Sequence, residues 1–141
     1  MSEIRSKFYR VSIKALVLNE SRDKFLLTQM ENGVWDLPGG GMDWGETYNE
    51  ALAREILEEM NIEVTKIAER PSYFLGGHKM SPEHKLWLAN VVYETELSSL
   101  DFTPSDECVD IMFVSQSDVE NLEHVPPTVL DLAKQFNPEN H

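Results

Sequence analysis

The chain is poor in cysteine and in positive charge. Cys108 is its one cysteine, and 12 lysines and arginines stand against 25 aspartates and glutamates in 141 residues, a formal net charge of −13. A lone cysteine excludes an internal disulfide, so a reducing cytoplasm is the expected compartment. The acidic balance disfavours nonspecific binding to nucleic acid or to an anionic membrane.

Long apolar runs and repeats are missing as well. The sequence contains no uninterrupted apolar stretch of the roughly 18 residues needed for a membrane-spanning helix. Residues 1–7 lack the apolar segment of a secretory signal. Without repeats, low-complexity tracts or linkers, a chain of this length is expected to form a single domain over residues 1–141.

Acidic residues, by contrast, are concentrated in one segment, with five glutamates between positions 46 and 59. In a helix that turns by about 100° per residue, Glu55, Glu58 and Glu59 share one face. The opposite face carries four apolar side chains that we expect to contact the core: Ala53, Ile56, Leu57 and Met60.

A glycine triplet, Gly39-Gly40-Gly41, precedes this helix and predicts a tight turn. Like charges one helical turn apart weaken a helix by about a few tenths of a kcal/mol per pair. An acidic face next to a glycine turn therefore indicates a bound cation. Carboxylate oxygens favour hard ions such as Mg²⁺ or Mn²⁺. The alternative is a solvated acidic helix after an ordinary turn.

The segment from Gly40 to Ile62 resembles the signature of the Nudix hydrolase family (MutT-like proteins). That signature is a glycine, a glutamate after five intervening residues, and Arg-Glu-aliphatic-x-Glu-Glu after seven more. The matching residues are Gly40, Glu46, Arg54, Glu55, Ile56, Glu58, Glu59 and Ile62. Asn61 replaces the usual glycine, and asparagine is the second choice for the left-handed residue that follows a helix.

The resemblance implies an α/β/α sandwich with a mixed β-sheet between helices. It also implies metal-dependent hydrolysis of a pyrophosphate bond in a nucleoside diphosphate linked to another group X, with Mg²⁺ or Mn²⁺ as cofactor. In the family, residues matching Gly39 (through its carbonyl), Glu55, Glu58 and Glu59 bind the metal.

The resemblance assigns supporting roles to the residues around these ligands. Arg54, with Glu46 as its partner, is expected to hold the carboxylates in place next to Gly40. An ordinary ion pair with Glu50, one helical turn away, is the alternative role for Arg54.

Glu107 is a separate candidate. Some family members carry a glutamate about six residues before the aromatic residue of a late strand, where it binds a second metal or acts as the base. Glu107 stands six residues before Phe113. The base is then Glu55 or Glu107. The alternative is an exposed loop acid, and Asp101 and Asp106 are weaker candidates for the same role.

Residues that contact substrate are harder to predict. Arg10 shares a strand face with Lys14, Trp35 and Trp44 flank the glycine turn, and Lys79 belongs to a basic group with His78, His84 and Lys85. Trp87 is expected in the core. The weak candidates for substrate contact are Arg10, Trp35, Trp44 and Lys79.

The substrate stays open at this stage. The chain lacks the residues typical of three subclasses: a proline about 15 residues past the motif, a tyrosine slightly further on, and an arginine after the second strand. These markers belong to hydrolases of ADP-ribose, of diadenosine polyphosphates and of oxidised dGTP. A catalytically silent domain that senses nucleotides or binds protein is the alternative function. Silent members usually lose motif glutamates, whereas this chain keeps them. Both a monomer and a homodimer remain possible.

Hydrophobic periodicity and turn residues predict the elements along the chain. The strand at 24–30 is expected to be the hairpin partner of the strand at 8–18. The remaining strands are expected at 35–37, 62–70, 73–76, 85–97 and 111–114, and helices at 47–60, 115–122 and 126–136.

Overall fold

The computed structural model describes residues 8–79, 83 and 86–141. Its strands are β1 (Tyr9–Leu16), β2 (Phe25–Gln29), β3 (Trp35–Asp36), β4 (Gly39–Gly41), β5 (Val64–Ile67), β6 (Tyr73–Lys79), β7 (Trp87–Leu97) and β8 (Asp110–Val114). Its helices are α1 (Tyr48–Met60), α2 (Gln116–Glu120) and α3 (Pro127–Gln135), followed by a 3₁₀ turn (Pro138–Asn140). The predicted elements are present within a few residues at each end, and the glycine triplet forms the additional short strand β4.

Two sheets organise the molecule. In the larger sheet β1 lies between β4 and β7, and β5 and β6 both pair with the other edge of β7. The β1–β7 pairing is parallel and the others are antiparallel. The smaller sheet has the order β3-β2-β8 and is antiparallel. The larger sheet is therefore mixed, as predicted.

Apolar side chains on the two faces of the larger sheet enter separate cores. Leu16 of β1 and Val92 of β7 pack with the buried face of α3. Their neighbours Ala15 and Tyr93 pack with the buried face of α1. Because successive side chains of a strand point to opposite faces, helices cover both sides of the sheet, which confirms the α/β/α sandwich. None of the helices in the described residues is long and apolar enough to span a membrane.

The predicted hairpin between the first two strands is wrong beyond its turn. Leu18 and Phe25 form a single bridge, and the amide of Leu26 donates to the carbonyl of Val17 at 2.9 Å. After Leu26, β2 pairs with β3 and β8 in the smaller sheet and no longer with β1. Both hydrogen-bonding edges of β1 are already taken by β4 and β7, so no edge remains for β2.

The predicted core face of α1 is also partly wrong, because Ala53 and Leu57 are exposed. With Glu55 as zero, the buried arc runs from about −40° to about 140°, and Glu59 lies near its middle at about 40°. The side chains that form this arc are Ala51, Leu52, Ile56, Glu59 and Met60. The acidic and apolar faces thus adjoin instead of opposing each other.

Both ends of α1 follow from local sequence. At the start, the amide of Thr47 donates to Glu50 Oε1 at 3.1 Å and the Thr47 hydroxyl donates to the same oxygen at 2.8 Å. Glu50 therefore caps the helix instead of pairing with Arg54. At the end, Asn61 adopts the left-handed conformation, with φ 55° and ψ 41°, which confirms the prediction made for it.

Substitutions of Asn61 test whether the end of α1 requires a residue that tolerates the left-handed conformation. Asn61→Gly is expected to be neutral or slightly stabilising, whereas Asn61→Val should lower the free energy of unfolding by about 1 kcal/mol or more, because a β-branched residue resists positive φ. Urea denaturation measures both changes. Asn121 ends α2 in a right-handed conformation, with φ −99°, so Asn121→Val is the matched control. An equal cost at both positions would contradict the assignment.

Candidate active site

Three carboxylates converge next to β4. One oxygen each from Glu55, Glu59 and Glu107 lies within 4.8 Å of the other two. Glu55 and Glu59 are one turn apart on α1, and Glu107 comes from the loop between β7 and β8. The three side chains line a cleft of about 380 Å³ together with Gly39–Gly41. We call this group the carboxylate cluster.

Hydrogen bonds of Ser105 and Thr103 hold the Glu107 loop against the end of α1. The Ser105 hydroxyl donates to the carbonyl of Glu59 at 2.7 Å and accepts from the amide of Glu107 at 3.3 Å. The amide of Thr103 donates to the carbonyl of Met60 at 3.0 Å. Although Glu107 is exposed, these bonds hold its loop where its carboxylate meets those of Glu55 and Glu59.

The rival acids of this loop are oriented differently. Asp101 and Asp106 are both exposed. Neither carboxylate belongs to the carboxylate cluster, as found among the residues that the structure describes. The main chain of Asp106 is engaged elsewhere, because its carbonyl accepts from the amide of Glu31 at 2.9 Å.

The glycines of β4 permit close contact with β1 on one side and with α1 on the other. Gly39 has a φ of +118°, and its amide donates to Glu59 Oε1 at 3.1 Å. A Cβ at Gly39 would collide with the carbonyl of Ile13 on β1. A Cβ at Gly40 would lie 2.7 Å from the carboxylate carbon of Glu55. A side chain at Gly39 is therefore excluded by the backbone of β1, and one at Gly40 is excluded while Glu55 keeps its place.

Burial makes the helix carboxylates hard to ionise without a cation. Glu59 is only 6% exposed, and this burial raises its pKa to about 8, against the opposing effects of Lys14 and the Gly39 amide. Burial also raises the pKa of Glu55, although the Arg54 guanidinium lowers it in part. A bound divalent cation would relieve both effects, and an all-oxygen donor set fits Mg²⁺ or Mn²⁺.

Arg54 ties the motif residues together. Its Nε donates to Glu46 Oε2 at 2.6 Å and its Nη2 donates to Glu46 Oε1 at 2.8 Å, a bidentate pair. Its Nη1 donates to Glu55 Oε1 at 3.1 Å, and Nη2 also reaches the carbonyl of Gly41 at 3.1 Å. The hydrogen bond from Arg54 lowers the pKa of Glu46 to about 2. Arg54 thus links Glu46, Glu55 and β4, and its supporting role in the site stays a prediction.

Glu58 takes a different position from the other two helix glutamates. Its side chain is 54% exposed and its Oε2 lies 3.4 Å from Arg54 Nη1. The same Nη1 binds Glu55, so Glu58 stands beside the carboxylate cluster without joining it. Its role as a metal ligand stays a prediction.

The weak candidates for substrate contact are dispersed. Trp44 is fully exposed, and the Arg10 guanidinium packs over Gly41. Trp35 is half-buried against the α3 core. Lys79 Nζ lies 5.6 Å from the centre of the Trp87 ring.

Trp87, the neighbour of Lys79, is not a core residue. Trp87 is 39% exposed, so the prediction that it lies in the core is wrong: it opens β7, where Lys79 covers its ring instead of apolar packing. His78 pairs with Asp131 of α3. His84 and Lys85 lie outside the described residues.

Sequence reasoning did not select Lys14 and Asp36, which also line the cleft. Lys14 Nζ donates to the carbonyl of Gly39 at 3.3 Å and to that of Leu37 at 3.4 Å, and it lies 3.6 Å from Asp36 Oδ2. The available signal was the alternation of β1, which puts Lys14 on the same face as Arg10. The pairing of Lys14 with Gly39 in the sheet then brings its ammonium to the cleft.

The chain is similar in sequence to proteins that are named as a diphosphatase and as a pyrophosphohydrolase. Over 44 residues it is 52% identical to a protein named putative 8-oxo-dGTP diphosphatase from Bacillus subtilis (strain 168), which covers 31% of this chain and 30% of that protein. Over 87 residues it is 32% identical to the RNA pyrophosphohydrolase of Helicobacter pylori (strain G27), covering 57% and 56%. The matches thus span from under a third to just over half the length of these relatives.

Similarity in structure extends further along the chain. The crystal structure of the MutT protein from Methanosarcina mazei Go1 matches with a TM-score of 0.76 and 28% identity, over 95% of this chain and 96% of that one. The family model of the NUDIX domain matches residues 8–135, which include the cleft and all three members of the carboxylate cluster. The chain therefore belongs to the Nudix family.

Proposed function

We propose that this protein hydrolyses a pyrophosphate bond in a nucleoside diphosphate linked to another group X, with Mg²⁺ or Mn²⁺ as cofactor. The carboxylate cluster carries the proposal, because it places three hard-oxygen ligands at the floor of an open cleft. The names of the relatives, a diphosphatase and a pyrophosphohydrolase, support the same chemistry.

The proposed metal ligands are the carbonyl of Gly39 and the carboxylates of Glu55, Glu58, Glu59 and Glu107. When bound, the metal would lower the pKa of a water molecule and stabilise charge on the attacking and leaving oxygens. Without such a cation the acidic cleft would repel a polyphosphate. Lys14, with 12% of its side chain exposed, contributes a fixed positive charge at the cleft floor.

Proton transfer is assigned to Glu55 or Glu107. A base must remove a proton from the water that attacks phosphorus. The raised pKa of Glu55 brings it closer to the range of an effective base at neutral pH, and Arg54 fixes its orientation. Glu107 offers a more exposed carboxylate at the same place. The products would be a nucleoside monophosphate and phospho-X, or pyrophosphate if the substrate is a triphosphate.

The identity of X follows from neither the geometry nor the relatives, whose names point to an oxidised nucleotide in one case and RNA in another. A small nucleotide derivative, a cytoplasmic location and a monomeric or homodimeric state remain the proposals. A silent sensor or protein-binding domain is disfavoured, because the Nudix motif keeps its glutamates and two of them converge with Glu107.

A substrate panel tests the proposal directly. Nucleoside triphosphates, dinucleotide polyphosphates and nucleoside diphosphate sugars are incubated with Mg²⁺ or with Mn²⁺, and the release of phosphate, pyrophosphate and nucleoside monophosphate is followed. We expect at least one substrate to be cleaved, and a chelator to abolish the cleavage. Binding of nucleotides without cleavage of any of them would favour the silent domain.

Glu107→Gln should distinguish a site residue from a surface acid. We expect kcat to fall by about 10² or more at saturating metal, because the substitution removes a ligand or the base. The free energy of unfolding should change by less than about 0.5 kcal/mol, as for other exposed positions.

Asp106→Asn is the matched control for this prediction, since the neighbouring acid is exposed and lies outside the carboxylate cluster. It should keep the wild-type rate. If kcat of Glu107→Gln lies within about threefold of the wild-type value, Glu55 is left as the base and Glu107 is an ordinary surface acid.

A further inference from the structure

A second pocket of about 500 Å³ lies next to the segment that follows β4. Its lining includes three aromatic rings, from Phe8, Tyr9 and Trp44, together with Arg10, Met42 and Asp43. We call it the aromatic pocket. It is made by the start of β1 and by the loop that connects β4 to α1.

The rings of this pocket are unusually open to solvent. Trp44 is 101% exposed, Phe8 61% and Tyr9 52%. Large aromatic side chains are normally buried, and a contiguous exposed apolar surface with polar groups at its edge is typical of a binding site. Flat apolar faces with nearby hydrogen-bonding groups suit a planar, polar-edged ligand.

The aromatic pocket adjoins the cleft of the carboxylate cluster at Arg10. This residue lines the pocket, and its guanidinium packs over Gly41, which lines the cleft. The amide of Met42 donates to the carbonyl of Val11 at 2.9 Å and holds the two walls together. Trp44 is three residues beyond Gly41, so at most about 10 Å of chain separates the pocket from the cleft.

We infer that the aromatic pocket binds the nucleobase of the substrate whose phosphates lie at the carboxylate cluster. Trp44 would stack on the base, and Arg10 would contact the phosphate nearest the nucleoside. Every nucleobase has a π-face, and such stacking tolerates different bases. The inference rests on the proposed function, because it assigns the other end of the same substrate.

Binding of nucleoside monophosphates, measured by calorimetry without metal, tests the pocket apart from catalysis. Trp44→Ala should weaken binding about tenfold or more, and Trp44→Phe should restore it to within about threefold of wild type. Phe74 is also a largely exposed aromatic, at 66%, but it lies on β6. Phe74→Ala, the matched control, should bind as the wild type does.

Kinetics provide the second measurement. For a nucleotide substrate, Trp44→Ala should raise KM about tenfold while kcat stays within about twofold, and hydrolysis of inorganic tripolyphosphate, which has no base, should not respond. If an active Trp44→Ala enzyme keeps the wild-type binding of monophosphates and the wild-type KM, the inference about the aromatic pocket is overturned and the proposed function still stands. If Trp44→Ala loses monophosphate binding but the wild type cleaves no nucleotide, the result would support the aromatic pocket as a base-binding site and refute the proposed function.

Discussion

Glu59→Gln should abolish nearly all hydrolysis without destabilising the metal-free protein at pH 7. Glu59 is buried near the middle of the apolar arc of α1, and its pKa is raised to about 8. Glutamine keeps the shape and can still accept from the Gly39 amide, but it supplies no charge to a metal. We expect kcat to fall by about 10² or more, as measured at saturating Mg²⁺ on the substrate found in the panel.

The pH dependence of stability provides an independent readout of the same substitution. Because the folded pKa of Glu59 is raised, the metal-free folded state holds its proton more tightly than the unfolded state does. The free energy of unfolding of the wild type should therefore decrease as pH rises from about 4.5 to 8. In Glu59→Gln this contribution should disappear.

Glu69→Gln is the control for both measurements, because Glu69 is an exposed glutamate beyond α1. It should retain the rate and the pH profile of the wild type. A Glu59→Gln protein with wild-type activity would remove Glu59 from the site.

Gly39→Ala should cause the largest loss of stability among the glycine substitutions of the cleft. The residue has a φ of +118°, which strains any side chain, and a Cβ there would collide with the backbone of β1. Backbone atoms cannot rotate away as the end of a side chain can. We expect the free energy of unfolding to fall by about 3 kcal/mol or more, with activity reduced as well, since the same residue binds Glu59.

Gly33→Ala separates the two contributions, because Gly33 has a φ of +90° but no heavy atom within 4 Å of the added Cβ. This control should lose only about 1 kcal/mol, the cost of the conformation itself. Equal losses at the two positions, measured by urea denaturation, would show that close packing of β4 on β1 contributes nothing.

The motif and its local structure could be predicted from sequence because their causes are local. The spacing from Gly40 to Ile62 identified the family, now confirmed by the match over residues 8–135. The left-handed conformation of Asn61 was predicted from the sequence, and it depends, like the cap at Thr47, on a few neighbouring residues. Such features do not require knowledge of what packs against the helix.

The errors arose where distant segments decide the outcome. The pairing of β1 depends on β4 and β7, which displace the neighbouring β2 despite its favourable turn. The helical wheel placed Leu57 in the core, yet Leu57 is exposed, and Glu59 faces β4, where it accepts a hydrogen bond from the Gly39 amide. An apolar count along the helix contains no information about that partner.

The cleft shows the same division between local and distant causes. Glu55 and Glu59 could be selected from their spacing. Glu107 was placed by family resemblance, and its position depends on Ser105 binding the end of α1. Alternation along β1 showed only that Lys14 shares a face with Arg10, and no sequence signal indicated Asp36. The pairing of β1 with β4 and of β3 with β2 brings these two side chains to the cleft.

Calorimetric titration of Mn²⁺ into the wild type and into a Glu55→Gln, Glu59→Gln double variant tests the central claim most directly, that the carboxylate cluster is a divalent metal site. Glu69→Gln serves as the control in the same titration. We predict binding to the wild type and to the control, and an affinity at least about 100-fold weaker, or no detectable binding, in the double variant. Equal affinity for Mn²⁺ in the wild type and the double variant would contradict the claim.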